Sequence, residues 1–111
     1  MTRPAALETF WALSDPVRIE ILDRLAAGTQ VTVTQLAGVL PISRQAVSRH
    51  VGTLEDAGLV LGEREGREHR YRLVVNSVDA AGRWLTARSL SWGRALDRLA
   101  AFVETGGGET P

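Results

Sequence analysis

Four polar side chains near the middle of the chain are of the types that proteins use to bind nucleic acid. Arg44, Gln45, Ser48 and Arg49 stand close together and directly follow Ser43. Arginine and glutamine form paired hydrogen bonds with base edges, and arginine and serine also bind phosphate oxygens. These residue types at this spacing predict a surface that reads DNA. The residue types alone leave open an ordinary solvated helix face.

The segment that carries these side chains is predicted to be a helix over residues 43–57. Ser43 is a favourable N-cap, and Gly58 stands where helices commonly end in the left-handed conformation. Apolar residues recur at i, i+4 and i+7, which predicts one buried stripe, formed by Val47, Val51 and Leu54. A helix of about four turns fits the major groove with its first turns against base edges. We therefore expect a recognition helix here.

Three shorter helices are predicted before it. The first covers residues 5–13, and the second runs from Pro16, with Ser14 or Asp15 as its cap, to about Ala27. Five apolar residues of the second helix are expected to be buried: Val17, Ile19, Ile21, Leu22 and Leu25. The third begins with the capping-box spacing of Thr32 and Gln35 and is closed by Pro41. Only a tight turn then precedes the recognition helix, which is helix-turn-helix spacing.

After Gly58 the apolar period changes from 3.6 to 2, and residues 59–75 are predicted to form a β-hairpin. Glu65-Gly66-Arg67 supplies the turn, and Tyr71 and Leu73 are expected on the inner face. A hairpin directly after a recognition helix is a wing, and its arginines could reach phosphate or the minor groove. We expect three of them at its tip, namely Arg64, Arg67 and Arg70. The alternative is a solvated hairpin in which three acids neutralise these arginines: Glu63, Glu65 and Glu68.

A long helix is predicted over residues 77–104, because apolar residues again recur at helical spacing. At about 1.5 Å per residue it would be longer than a domain of this size covers. Together with the apolar first helix, it predicts a symmetric dimer through the terminal helices, unless the long helix folds back on its own domain. The expected dimer interface consists of Leu7, Phe10, Trp11, Leu85, Trp92, Leu96, Leu99 and Val103.

Composition limits the possible functions. The 111 residues contain no cysteine, which excludes disulfides, a thiolate metal site and thiol redox sensing within this chain. There is no long apolar run and no export signal, so we expect a cytoplasmic protein without a membrane segment. No nucleophile–base pair, paired carboxylates or phosphate loop can be recognised, so we expect no enzyme activity. Residues 1–105 are expected to form one mainly α domain with the hairpin wing, and residues 106–111 a flexible tail.

The formal net charge is zero, although DNA-binding proteins are usually basic. Residues 43–72 contain six arginines and five acids, so DNA affinity must depend on where the arginines point. A second hypothesis is therefore a winged-helix module that binds protein and no nucleic acid. Such a module would more often present aromatic or aliphatic anchors than the polar face of the recognition helix.

Three segments resemble the winged helix-turn-helix repressors of the ArsR/SmtB type. They are F-W-A-L-S-D-P-V-R-I-E-I-L-D-R-L, then T-Q-L-A-G-V-L-P-I-S-R-Q-A-V-S-R-H-V-G-T-L-E-D-A-G-L-V, then R-E-G-R-E-H-R-Y-R-L. The resemblance covers about Leu7 to Leu99. It implies a homodimeric repressor of its own or a neighbouring operon that binds double-stranded DNA at an inverted-repeat operator. It also implies DNA contacts from the polar face at 43–49 and from Arg67.

The residues that bind metal in members of that family are replaced here. Where thiolate-sensing members have C-V-C-D-L-A, this chain has Thr32-Val33-Thr34-Gln35-Leu36-Ala37, and threonine is a poor ligand for soft metals. A second metal site of that family combines an aspartate with histidines. This chain keeps the aspartate, Asp79, but has other residues in place of the histidines. His50 is expected to cap or pack locally and not to bind a ligand. We therefore expect no metal, no cofactor, and control by a small organic effector or by none, with Trp11, Trp84 and Trp92 lining either a pocket or the dimer core.

Overall fold

The computed structural model describes residues 4–28 and 30–105, and contains five helices and three strands in these ranges. Their order is α1 (Ala5–Ala12), α2 (Pro16–Ala27), β1 (Val31–Thr32), α3 (Val33–Val39), α4 (Arg44–Asp56), β2 (Val60–Glu65), β3 (Glu68–Leu73) and α5 (Asn76–Glu104). The mainly α fold with a hairpin wing is as predicted. The predicted tail at 106–111 lies outside the described residues.

Local signals in the sequence set the ends of the helices. Asp15 caps α2 by accepting hydrogen bonds from the N–H groups of Val17 and Arg18, with Pro16 at the first helical position. Thr32 and Gln35 form the predicted capping box of α3. The stop after α4 is also as predicted, since Gly58 has a φ of 75°, a conformation that glycine adopts without steric cost.

One core joins α2, α3, α4 and the base of the hairpin. Its fully buried side chains come from each of these elements, and the largest are Ile21, Leu25, Leu36, Val47, Val51, Leu54 and Leu59. The predicted stripe of α4 is confirmed. The prediction for Ile19 is wrong, because this side chain is 39% exposed, whereas Arg18 beside it is buried.

The guanidinium of the buried Arg18 donates hydrogen bonds to carbonyl groups at the end of α1. Its Nε donates to the carbonyl oxygen of Ala12 at 2.6 Å, and Nη2 donates to that of Trp11 at 3.1 Å. The last carbonyl groups of a helix have no partner within the helix. The guanidinium therefore closes α1 while it also lies 5.1 Å from the centre of the Trp11 ring.

The three strands form an antiparallel sheet in the order β1-β3-β2. The pair β2–β3 is the predicted wing, with Gly66 at a φ of 64° in its two-residue turn. Strand β1 was not predicted from the sequence. It pairs Val31 with Tyr71 and Thr32 with Arg70, and so fastens the start of α3 to the wing.

The chain divides into two compact units, one that ends at Ala81 and one that begins at Gly82. The second unit consists of most of α5, and its apolar residues are at least half exposed at Leu90, Trp92, Leu96, Leu99, Phe102 and Val103. Of the described helices, none is long and apolar enough to cross a membrane.

Candidate nucleic-acid interface

Helix α4 presents its polar side chains to solvent along one face. Arg44, Gln45, Ser48 and Arg49 are all exposed, while the opposite face is fully buried in the core. Ser43 is also exposed, and its Oγ accepts the N–H of Ala46 at 3.1 Å as the N-cap. The buried face fixes the rotation of the helix, so the predicted DNA-reading side chains point outwards together.

The wing separates its charges between two faces. Residues of β2 and β3 alternate across the sheet, and the inner face carries Val60, Gly62, Arg64, His69, Tyr71 and Leu73. All three wing acids lie on the outer face with Arg70 and Arg72. There Arg70 forms ion pairs with Glu68 at 2.8 Å and Glu65 at 3.5 Å, and Arg72 with Glu63 at 3.4 Å.

These ion pairs correct the prediction for the hairpin tip. Arg70 does not lie at the tip, because it pairs across the sheet with Glu63 and is held by two carboxylates. Arg67 lies in the turn and Arg64 on the inner face, and both side chains are exposed. Within the described ranges neither arginine forms an ion pair. The acids thus neutralise Arg70 and Arg72 and leave Arg64 and Arg67 available to an anion.

The wing and the helix-turn-helix enclose a cleft of about 520 Å³. From α4 it is lined by Arg44 and Ser48, and from the wing by five consecutive residues, Arg67, Glu68, His69, Arg70 and Tyr71. The start of α3 lines the third side with Thr32, Val33, Thr34 and Gln35. The sequence did not predict this third side, because it depends on the pairing of the two-residue strand β1 with β3, and so short a strand has no periodic pattern.

A carboxylate of α4 holds the inner face of the wing. Oε2 of Glu55 accepts the N–H of Gly62 at 3.2 Å. A Cβ atom at Gly62 would lie 3.0 Å from this oxygen and 2.8 Å from both Nε2 of His69 and Cε1 of Tyr71, so only glycine leaves room for all three side chains. Burial raises the pKa of the Tyr71 hydroxyl, and the negative charge of Glu55 raises that pKa further. The hydrogen bond from Gly62 to Glu55 and the close packing at this glycine fix the rotation of the wing about α4.

His50 contacts a residue of another helix: its Nδ1 lies 3.4 Å from Nη1 of Arg18 on α2. Asp79 lies in the first turn of α5. In the part of the chain that the structure describes, no three His, Cys, Asp or Glu residues come together in a way that could hold a metal ion.

This arrangement of an exposed α4 face and a wing can be compared with known proteins. Residues 13–63 match the model of a helix-turn-helix domain family. The HTH-type transcriptional regulator Rv2034 of Mycobacterium tuberculosis is 36% identical over 99 residues, which cover 89% of each chain. The chain belongs to the ArsR/SmtB family. This member is accordingly a DNA-binding transcriptional regulator and not an enzyme.

Two further similarities agree with membership of the ArsR/SmtB family. The transcriptional repressor SmtB of M. tuberculosis is 45% identical over 70 residues, which are 63% of this chain and 51% of that protein. An ArsR-like transcriptional regulator from Rhodococcus sp. RHA1 has a solved structure with a TM-score of 0.76 and 35% identity, covering 95% of each chain.

The side chains predicted for a dimer interface of this ArsR/SmtB regulator are mostly exposed. In α1, Trp11 is 60% exposed and Leu7 36%, while Phe10 is half-buried. Trp11 lines a cleft of about 410 Å³ with Glu8, Thr53, Asp56 and Ala57. In the second unit, the guanidinium of Arg88 lies 4.0 Å from the centre of the Trp84 ring.

Proposed function

We propose that this regulator is a homodimeric repressor that binds an inverted-repeat operator with α4 in the major groove and the wing on the adjacent backbone. The separation of charges on the wing carries this proposal. Because the acids neutralise Arg70 and Arg72 on the outer face, Arg64 and Arg67 give a chain of zero net charge a local cationic surface beside α4.

The exposed apolar stripe of α5 supports the dimer. Leu85, Trp92, Leu96, Leu99 and Val103 recur along one side of this helix, with exposures from 43% to 66%. So much apolar surface on one helix is typical of an interface. Two copies related by a twofold axis present two recognition helices, which enter successive major grooves when the half-sites form an inverted repeat. A repressor placed in this way blocks RNA polymerase. We propose that it acts in the cytoplasm.

We further propose that the effector is a small organic molecule and neither a metal ion nor a thiol reagent. The absence of cysteine and the threonines at 32 and 34 argue against soft metals. The indole of Trp11, at the edge of a cleft beside α4, offers an apolar surface for such a molecule.

The test of the DNA-binding proposal is fluorescence anisotropy with a labelled duplex of the DNA upstream of its own gene, over a salt series. We expect binding about 100-fold or more tighter than to a scrambled duplex, with strong salt dependence. Equal weak binding to both duplexes would contradict control of its own operon. Release of the DNA by Zn²⁺ or arsenite would contradict the proposed class of effector.

A further inference from the structure

The imidazole of His69 lies inside the proposed DNA-binding cleft. His69 is exposed on the inner face of the wing, pairs across the sheet with Arg64, and lines the cleft together with Arg44 and Arg67. Its ring stacks on that of Tyr71, with ring centres 5.0 Å apart and planes 16° from parallel. The stacking orders an exposed side chain that would otherwise sample several rotamers.

Two of the three elements around this imidazole carry charged groups. Helix α4 contributes the cation Arg44 and the carboxylate Glu55, and the start of α3 contributes only neutral side chains. The wing contributes Arg64, Arg67, Glu68, Arg70 and Tyr71, of which Glu68 and Arg70 form an ion pair with each other. Of the charged groups around the ring, Arg44 and Arg67 line the cleft and form no ion pair within the described ranges, so both are open to an anion.

Phosphates that occupy the cleft lie against Arg44 and Arg67, which line it together with His69, and they place negative charge beside the imidazole, which favours its imidazolium form. We propose that His69 binds a DNA phosphate as the imidazolium cation, and that each protomer takes up a proton at His69 when it binds DNA. This inference rests on the proposed placement of DNA over the cleft.

Glu55 and Tyr71 act as positioning residues for His69. The carboxylate of Glu55 is fixed by the N–H of Gly62, and Nε2 of His69 lies beside the same glycine. The carboxylate and the imidazole thus face the same glycine, and the ring of Tyr71 stacks on that of His69.

Proton uptake on binding determines the direction in which DNA affinity changes with pH. If bound DNA favours the imidazolium, DNA affinity is greatest at low pH and falls as the pH rises through the range in which histidine titrates, about pH 5 to 8. One linked proton weakens binding by at most about tenfold per pH unit. We expect a total loss of about tenfold for each protomer between about pH 6 and 8.

The test is anisotropy with a labelled mixed-sequence duplex at constant ionic strength over this pH range. A phosphate contact does not depend on sequence, so the operator need not be known. His69→Gln should abolish most of the pH dependence. His50→Gln is the matched control, since His50 is the other histidine of the chain and faces Arg18; it should keep the pH dependence of the wild type.

Glu55→Gln distinguishes an effect of the charge of Glu55 on His69 from the structural role of its hydrogen bond to Gly62. Glutamine can still accept the N–H of Gly62 but lacks the charge, so the midpoint of the pH dependence should move to lower pH. Calorimetry in two buffers of different ionisation enthalpy should show proton uptake that His69→Gln removes. An unchanged pH slope in His69→Gln would overturn this inference, whereas wild-type protein that binds no duplex at any pH would instead contradict the placement of DNA.

Discussion

Nη1 of the buried Arg18 lies 3.4 Å from Nδ1 of His50, which joins the start of α2 to the recognition helix. The same guanidinium donates to two carbonyl groups at the end of α1. One side chain therefore contacts three helices, and its removal is the first test of what holds the proposed DNA-binding surface in place.

Arg18→Ala should lower the free energy of unfolding by about 2–4 kcal/mol, because it removes a buried side chain and takes the guanidinium donor from the carbonyl group of the buried Ala12. Urea unfolding followed by circular dichroism measures the change. Arg24→Ala is the control on the same helix: its ion pair with Glu20 is exposed, and its loss should cost less than about 0.5 kcal/mol. Equal losses in the two variants would contradict the role given to Arg18.

Acid should weaken α2 through its cap. Hydrogen bonds from the N–H of Arg18 and then of Val17, with the charges of His50 and Arg18, lower the pKa of Asp15 below 3.8, although desolvation opposes them. A lowered folded-state pKa contributes stability that is present above the unfolded-state pKa and is lost as the pH falls through the folded-state pKa. Asp15→Asn keeps the cap without the charge, so its stability should approach that of the wild type as the pH falls below about 4. A constant difference down to pH 2 would contradict this.

Gly62→Ala should disturb the wing. The new Cβ would lie within 3.0 Å of atoms of Glu55, His69 and Tyr71, so at least one of these must move. We expect a loss of about 1–3 kcal/mol in stability and weaker DNA binding. Gly38→Ala is the control, because nothing lies within 4 Å of its Cβ and alanine favours the helix; it should stabilise by about 0.5–1 kcal/mol.

Substitutions of different arginines should affect DNA binding differently, depending on the surface on which each arginine lies. Arg49→Ala should weaken binding to the operator selectively, by about 1–3 kcal/mol, and Arg67→Ala should weaken binding to all sequences and reduce the salt slope by about one. Arg72→Ala, on the outer face beside Glu63, is the control and should have little effect. Anisotropy over a salt series measures all three. Unchanged affinity in Arg49→Ala and Arg67→Ala would contradict our placement of the DNA surface.

The stripe of α5 should hold the dimer. Leu96→Asp places a charge within this stripe and should shift sedimentation from dimer to monomer, with weaker operator binding as a result. Leu90→Asp is the control, because Leu90 is 58% exposed but lies about 140° around the helix from Leu85. Dissociation by both variants, or by neither, would contradict an interface formed by this stripe.

The sequence by itself determined the helices, the wing and the exposed polar face of α4. Caps such as Asp15 and Ser43, the stop at Gly58 and the stripe of Val47, Val51 and Leu54 act within a few residues of one another. Signals of this range can be read directly, because i to i+4 neighbours in the chain are neighbours in space.

Only the tertiary structure decided which arginines of the wing form ion pairs and which remain available to an anion. The local sequence gives no reason to expect an ion pair at Arg70 and none at Arg67. The register of β2 on β3, however, places Arg70 beside two carboxylates and leaves Arg67 in the turn. The burial of Arg18 likewise depends on the end of α1, whose carbonyl groups accept its hydrogen bonds. In each case the partner is set by packing between distant segments, whose register a local pattern does not encode.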